Sequence, residues 1–151
     1  MTQTAQASFT VEHVYAASPA QVFRAYSDPT AKAAWFPSSG ETSFDFREGG
    51  SETNVGGGNG QPVYGFHARY HDIVPNERIV STYEMTMDGR RISVSLVVTE
   101  FRPEGEGTRL VHTEHGAFLD NLDQPEIRQG GTQWLLGELD AYLKGQSAKA
   151  A

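Results

Sequence analysis

His112 and Glu114 are the two side chains whose types and spacing best suit chemistry in this chain of 151 residues. They stand two residues apart in an alternating segment, and residues two apart in a β-strand point to the same face. Leu110 shares that face, so we expect both ionisable groups to point inward, with Cα atoms ~7 Å apart. His112 would then act as a general base or hydrogen-bond donor that Glu114 orients. The alternative is an internal hydrogen bond, to each other or to Tyr and Arg neighbours, without catalysis.

Other groupings that resemble metal or phosphate sites do not fit the predicted elements. His67 and His71 would lie ~13 Å apart on a strand, too far to share a metal ion. The run 56–60 is rich in glycine but lacks the Lys-Ser/Thr ending of a phosphate loop, which favours a hairpin loop or a mobile pocket mouth. The chain has no cysteine, which excludes disulfides and thiolate ligands. We therefore predict no metal, no cofactor and no catalytic residue beyond the candidates His112 and Glu114.

The charge and hydropathy of the chain limit the classes of partner that we expect it to bind. The formal net charge is -7, and the 12 Lys and Arg residues are scattered, so phosphate backbones and anionic lipid surfaces would be repelled. We expect no nucleic-acid partner and no membrane association, since no apolar run approaches the ~20 residues that cross a bilayer. The polar beginning of the chain does not resemble a signal peptide, which favours a cytoplasmic location. Oligomeric state, source and pathway stay open.

The elements that must position the candidate residues begin with a strand and two short helices. Ser18 and Gln21 form a capping-box pattern around Pro19, and Asp28-Pro29 ends this helix and begins the next. Tight-turn dipeptides then join alternating segments, which predicts an antiparallel meander rather than βαβ units. The predicted strands are Phe9–Tyr15, Thr42–Phe46, Ser51–Val55, Val63–Val74, Arg78–Met87, Arg91–Phe101 and Thr108–Phe118, with the second short helix at Thr30–Trp35.

A long helix is predicted from about Asp123 to Lys144, with Asp123 and Glu126 as a capping pair and Gly145 as its end. Its apolar stripe must face the sheet, the only large apolar surface available. The predicted stripe is Ile127, Gly131, Trp134, Leu135, Leu139 and Tyr142. We expect one domain, 8–145, between a disordered tail at 1–7 and a C-terminal tail at 146–151.

These elements predict an α+β fold in which seven twisted strands curl around the long helix and leave a cavity between sheet and helix. Aromatic walls with a few polar groups are typical of ligand sites, although the same residues can simply fill a core. The predicted ligand-binding residues are Trp35, Phe36, Phe44, Phe46, Tyr64, Phe66, Tyr83, Met85, Leu96, His112, Glu114, Phe118, Trp134 and Leu135. Val94 and Val98 are expected on the same inner face as Leu96, and Ala68 and Ser81 are small positions among the walls.

Three stretches of the chain resemble a known family. They are 18–29 with Trp35 following, 72–80, and 107–116, and with the Trp134 helix the similarity covers roughly residues 8–145. The chain thereby resembles the activator of Hsp90 ATPase homologue-like proteins, of the START-like or SRPBCC superfamily. The resemblance implies a helix-grip fold with a deep hydrophobic cavity, as in birch-pollen allergen and the aromatase/cyclase proteins. It does not fix a reaction, because this fold hosts many functions.

The leading hypothesis is a non-catalytic protein that binds a small hydrophobic or aromatic molecule, lipid-, polyketide- or flavonoid-like. His112, Glu114 and Tyr83 would fix its orientation. One alternative is a cofactor-independent cyclase or hydratase that uses His112 as proton shuttle. Another, which the family name suggests, is a module that interacts with a chaperone in a stress response.

Overall fold

A seven-stranded antiparallel sheet curves around a long C-terminal helix in the computed structural model, which describes residues 2–150. The α+β helix-grip arrangement predicted from the sequence is confirmed. The strands are β1 Thr4–Tyr15, β2 Thr42–Phe44, β3 Ser51–Gly57, β4 Val63–Val74, β5 Arg78–Met87, β6 Arg90–Glu104 and β7 Gly107–Leu119. The helices are α1 Pro19–Ser27, α2 Pro29–Trp35 and α3 Pro125–Ala150.

The sheet order is β1-β7-β6-β5-β4-β3-β2, so consecutive hairpins run from β2 to β7 and β1 closes the sheet beside β7. β1 begins earlier than predicted, and its Thr4 pairs with Leu119. Residues 4–7, expected to be a disordered tail, are therefore part of the sheet, because backbone pairing to β7 orders a segment whose side chains alone give little signal. The ends of the two predicted tails, Met1 and Ala151, lie outside the described residues.

The two short helices form for the reasons that the sequence indicates. The Ser18 hydroxyl accepts from the Gln21 amide, and the Gln21 side chain accepts from the Ser18 amide, which completes the capping box. Asp28 ends α1 and caps α2 by accepting from the Ala31 amide at 2.8 Å. Trp35 then anchors α2 to α1, because its indole N–H donates to the Ala25 carbonyl.

Helix α3 is rotated slightly from the orientation predicted for its apolar stripe. Leu139 is buried, and Leu135 and Tyr142 pack against the core, as predicted. Trp134 and Ile127 are instead 57% and 67% exposed, and Thr132 and Leu136 are buried in addition. The buried positions 132, 136 and 139 recur at intervals of four and three, as a single helix face requires. Tyr15 fixes the choice by donating its hydroxyl to the Leu136 carbonyl at 2.9 Å.

The ends of α3 also differ from the prediction. The helix begins at Pro125, and the Asp123 carboxylate pairs with the Arg128 side chain rather than forming a capping box with Glu126. Gly145 does not end the helix, which continues to Ala150, because glycine lowers helix stability without preventing helical geometry. None of the helices within residues 2–150 is both long and apolar enough to cross a membrane.

Strand β6 turns the opposite face inward from the one predicted. Ser93, Ser95 and Thr99 are buried, while Val94 and Leu96 are 44% and 40% exposed. A register shift beside Met85 in the β5–β6 pairing accompanies this arrangement, and pairing with inward-facing Tyr83 places Ser95 on the inner face. The inner face of β6 therefore carries polar residues together with Val97 and Phe101, and the prediction of Val94, Leu96 and Val98 as apolar walls is wrong.

Candidate ligand-binding site

A cavity of about 370 Å³ separates the concave face of the sheet from α3. Its floor is made by inward residues of β4, β5 and β6, where Ala68, Ser81 and Val97 are too small to fill the space. Gly131 and Leu135 of α3 face the floor from the opposite side. The cavity exists because short side chains occupy the centre of the sheet where the curved strands and the helix are furthest apart.

Nine of the residues predicted to bind a ligand line this cavity. Five aromatic side chains form walls around its apolar part, and the imidazole and carboxylate of β7 supply polar groups. The nine are Trp35, Phe36, Tyr64, Phe66, Tyr83, Met85, His112, Glu114 and Leu135.

The other five predicted residues lie elsewhere. Leu96 is on the outer face of β6, and Trp134 is on the solvent side of α3, as described above. Phe44 and Phe46 pack against Tyr70 in the main core, and Phe118 is fully buried below the Arg128 guanidinium. Strand parity at Leu96 and helix rotation at Trp134 were predicted incorrectly. Phe44, Phe46 and Phe118 point inward as predicted but contribute to packing away from the cavity.

Glu114 is the centre of a buried polar cluster at one end of the cavity. Its side chain is 0% exposed, and its Oε2 accepts a 2.6 Å hydrogen bond from the Tyr83 hydroxyl. Its Oε1 lies 2.9 Å from His112 Nε2, so the internal hydrogen bond expected as the alternative to catalysis is present. With the carboxylate as acceptor, Nε2 carries the imidazole proton and Nδ1 is left as an acceptor when His112 is neutral.

The Glu114 carboxylate stays ionised although it is buried. Burial alone would raise its pKa, but hydrogen bonds from His112 and Tyr83 and the electrostatic attraction of His112 together hold the pKa below the ordinary value of 4.5. The nearby Ser95 hydroxyl also lowers the Glu114 pKa. Its Oγ atom is buried and forms no hydrogen bond of normal geometry within the described part of the chain. Burial, reinforced by the Glu114 charge, raises the pKa of Tyr83, so the phenol stays protonated and acts as a donor.

Arg128 links this cluster to α3. Its guanidinium donates to the Tyr83 hydroxyl and to Ser93 Oγ, both at 2.8 Å, and lies 3.5 Å from Glu114 Oε2. Asp123 pairs with the opposite side of the guanidinium. Burial opposes its charge, but Tyr83, Asp123 and Glu114 raise the Arg128 pKa, so the group remains a cation.

A second buried cluster lies at the other end of the cavity and is centred on Glu52 of β3. Its Oε1 accepts from Lys32 Nζ at 3.0 Å and from the Tyr70 hydroxyl at 2.5 Å. Its Oε2 accepts from the Asn54 side-chain amide at 2.6 Å. All four residues line the cavity, and burial followed by the Glu52 charge raises the Tyr70 pKa.

Four aromatic rings lie within 6 Å of the Lys32 ammonium, which also lines the cavity. The Nζ atom lies 4.6 Å from the centre of the Phe36 ring and 5.5 Å from that of Phe44. The Tyr26 and Trp35 rings are at 5.7 and 5.8 Å. A cation over aromatic faces is stabilised by the ring quadrupoles, which helps to hold a charge that is only 8% exposed.

Sequence reasoning missed the Lys32–Glu52 cluster and Arg128, although each carries a signal. Lys32 stands three and four residues before Trp35 and Phe36, so it shares their face of α2. Glu52 pairs with Ala68, which was recognised as a small inner position. Arg128 stands four residues before the buried Thr132, so both residues lie on the same face of α3. The predicted stripe was rotated from this face by about one residue and therefore did not include Arg128.

The remaining histidine pair of β4 faces away from the cavity. His67 contacts Thr86 and His71 contacts Thr82 on the neighbouring strand. Within residues 2–150 no group of three His, Cys, Asp or Glu side chains is placed to hold a metal ion.

The glycine-rich run that ends β3 and leads toward β4 reaches the rim of the cavity. Gly56 and Gly57 line it together with Pro37 and Tyr64. Gly57 has φ 88°, and a Cβ there would collide with the Pro62 carbonyl, so the close turn at the rim requires glycine. The run 56–60 thus connects two strands and contributes backbone to the mouth.

Comparison with solved structures finds the same fold over nearly the whole chain. Protein Mll3558 from Rhizobium loti is 39% identical, with a TM-score of 0.87 over 93% of this chain and 99% of that chain. A protein from Rhizobium leguminosarum is 37% identical, with a TM-score of 0.90 over 95% of this chain and 98% of that chain. DynU16, from the dynemicin biosynthetic locus, is 22% identical with a TM-score of 0.66 over 91% of this chain and 47% of that chain, a likeness of fold alone.

Comparison with curated proteins gives no significant match. A family model, described as "Activator of Hsp90 ATPase homolog 1-like protein", matches residues 16–144. This range contains α1, α2, strands β2–β7 and most of α3, and therefore every residue that lines the cavity. The chain belongs to the activator of Hsp90 ATPase homologue 1-like family, as the resemblance of its motifs predicts.

Proposed function

We propose that the protein binds a small hydrophobic or aromatic molecule, lipid-, polyketide- or flavonoid-like, between the sheet and α3. The single observation that carries this proposal is a cavity of about 370 Å³ with aromatic walls and a polar cluster at each end. Ligand pockets in proteins are of this size and are built from apolar walls with a few placed polar groups. Removal of apolar ligand surface from water would contribute about 25 cal/mol per Å², before the costs of ordering the ligand.

Filling the cavity tests the proposal. Ser81 lies on the cavity floor, so Ser81→Leu would replace its hydroxyl oxygen by three carbon atoms in the space a ligand needs. Val80, its neighbour on β5, points to the outer face, and Val80→Leu is the matched control. The probe is 2-phenylnaphthalene, a neutral hydrocarbon whose fluorescence changes when it leaves water.

We expect saturable probe binding by the unaltered protein and by Val80→Leu, and a loss of at least about tenfold in affinity for Ser81→Leu. Equal binding by all three proteins would place the probe outside the cavity and contradict the proposal. Native mass spectrometry of the freshly purified protein adds a test without a chosen probe, since a retained small molecule shows as added mass.

A cofactor-independent cyclase or hydratase is the second candidate, and the His112–Glu114 hydrogen bond is the observation that favours it. A carboxylate that holds an imidazole in one tautomer leaves the other ring nitrogen able to accept a proton. A carrier would return its ligand unchanged, whereas an enzyme would return a compound altered by a proton shift or by the mass of one water. For an enzyme, His112→Ala would reduce turnover far more than binding.

Interaction with a chaperone is suggested by the description of the family and stays a prediction for this chain. A cytoplasmic location also stays a prediction. The Ser81→Leu variant separates chaperone interaction from small-molecule binding. A chaperone contact made by the outer surface would survive Ser81→Leu, whereas ligand binding would not.

A further inference from the structure

The cluster around Lys32 can donate hydrogen bonds to a ligand but has little capacity left to accept them. An ammonium has three N–H donors, and Glu52 Oε1 accepts one of them. Among the described residues, the other close neighbours of Nζ are aromatic rings. The Glu52 carboxylate already accepts from Lys32, Tyr70 and Asn54, so its oxygens are largely used.

The cluster around Glu114 has the opposite character. Its carboxylate accepts from His112 and Tyr83, and the Tyr83 hydroxyl in turn accepts from Arg128. The ring nitrogen that remains is Nδ1 of His112, which accepts when the imidazole is neutral. His112 lines the cavity and is only partly buried, so this end can receive a hydroxyl donor from a ligand.

The register of the sheet gives the separation of the two ends. Tyr70 pairs with Ser81, Ser81 with Val97, and Val97 with Glu114, so one row across the sheet joins the Lys32 end to the His112 end. Three strand spacings correspond to ~14 Å at the backbone, and the concave side chains shorten that span. Ser81 and Val97 leave the middle of the row open for a flat apolar body.

The charges around the cavity disfavour an anionic ligand. Lys32 is neutralised by Glu52, and Arg128 faces both Glu114 and Asp123. A ligand carboxylate beside Lys32 would therefore meet the Glu52 charge without a cation of its own. A carbonyl oxygen can take the same hydrogen bond without this repulsion.

From this asymmetry we propose that the cavity orients a neutral, elongated ring compound with a carbonyl oxygen on Lys32 and a hydroxyl group on His112. This inference rests on the proposed function and makes Lys32 a specificity-determining residue. It assigns direction to the ligand, because exchanging its two ends would place the carbonyl oxygen, which cannot donate, against the acceptor Nδ1 of His112.

Three flavonoid probes carry these two groups in different combinations. 4′-Hydroxyflavone carries both a carbonyl and a distal hydroxyl, 4′-hydroxyflavan lacks the carbonyl together with the adjacent double bond, and flavone lacks the hydroxyl. Because the affinity of each probe is compared between the unaltered protein and a variant, the difference in ring shape between the probes cancels. The protein variants are Lys32→Met/Glu52→Gln, which removes the buried pair without leaving a lone charge, and His112→Phe, which keeps a ring of similar shape. Circular dichroism and melting temperature verify that each variant is folded, and calorimetry or tryptophan quenching gives the affinities.

We expect the double variant to bind 4′-hydroxyflavone about 10- to 100-fold more weakly while its affinity for 4′-hydroxyflavan stays within about twofold. We expect His112→Phe to lose about three- to tenfold for 4′-hydroxyflavone and to bind flavone as the unaltered protein does.

Equal losses for probes with and without the carbonyl would overturn the inference, since Lys32 would then be structural only. Failure of the folded unaltered protein to prefer 4′-hydroxyflavone over 4′-hydroxyflavan would overturn it as well. If 2-phenylnaphthalene still binds in either case, the proposed function stands. If neither it nor the flavonoids bind, the proposed function and the inference fall together.

Discussion

Arg128, in the first turn of α3, donates through Nη1 to the Tyr83 hydroxyl of β5 at a distance of 2.8 Å. Tyr83 in turn donates to Glu114 of β7 at 2.6 Å, so a chain of hydrogen bonds joins the helix to two strands at the end of the cavity. These polar contacts thus connect α3 to the sheet at the end of the cavity, where the cavity separates their apolar side chains.

Arg128→Met should destabilise the fold. The change leaves Glu114 and Asp123 without their cation, and breaking a buried pair costs about 3–5 kcal/mol in the free energy of unfolding. Urea unfolding measures the loss. The control is Arg91→Met on β6, whose pair with Glu84 is largely exposed and contributes less than about 1 kcal/mol. Similar losses for both variants would show that the buried network contributes no more than a surface pair.

The ionised Glu114 should make stability fall in acid. Its pKa in the folded state is lower than in the unfolded state, so its stabilising contribution is complete above pH 4.5 and is lost as pH falls through the folded pKa. At about pH 7, Glu114→Gln should be less stable than the unaltered protein by about 1–3 kcal/mol. That difference should shrink as the pH is lowered below 4.5, because protonation removes the charge from the unaltered protein as well. Unfolding curves at several pH values measure it, and a constant difference would contradict the lowered pKa.

Lys32 and Glu52 should show strong coupling in a double-mutant cycle. Lys32→Met alone leaves a buried carboxylate without its cation, which costs about 3–5 kcal/mol. Adding Glu52→Gln removes that charge, so the double variant should be more stable than Lys32→Met. The exposed pair of Arg47 and Asp45 serves as a control cycle with coupling below about 1 kcal/mol. Additive losses at Lys32 and Glu52 would mean that the pair contributes only packing.

Gly130→Ala should stabilise α3. Gly130 is exposed in the helix interior, a Cβ there meets no atom within 4 Å, and alanine lowers the entropy of the unfolded chain. The expected gain is about 0.5–1 kcal/mol in the free energy of unfolding, seen as a higher melting temperature. Gly107→Ala is the opposite case, because its Cβ would collide with the Tyr15 carbonyl across the sheet. A loss of stability in Gly130→Ala would show that the helix is strained at this position.

The sequence by itself determined the order and type of the elements. Alternation, turn dipeptides and caps are local signals, and they predicted the helix start at Pro19, the start of the second helix to within one residue of Pro29, and the hairpins from β2 to β7. His112 and Glu114 were found as a pair because two-residue spacing on a strand fixes a shared face wherever the strand lies. The family resemblance added the helix-grip architecture.

Only the tertiary structure decided which faces turned inward on β6 and α3. On β6 the inner residues include Ser93, Ser95 and Thr99, so hydrophobic periodicity indicated the wrong side of that strand. On α3 it placed Leu135 and Leu139 correctly but missed the rotation that turns Arg128 toward the cavity and Trp134 toward solvent. Polar side chains are buried at these positions because residues of distant elements form hydrogen bonds with them. The register of the strands and the curvature of the sheet determine which residues meet. Lys32 and Glu52, twenty residues apart, meet for the same reason, since burying charge is favourable only where the fold supplies the opposite charge.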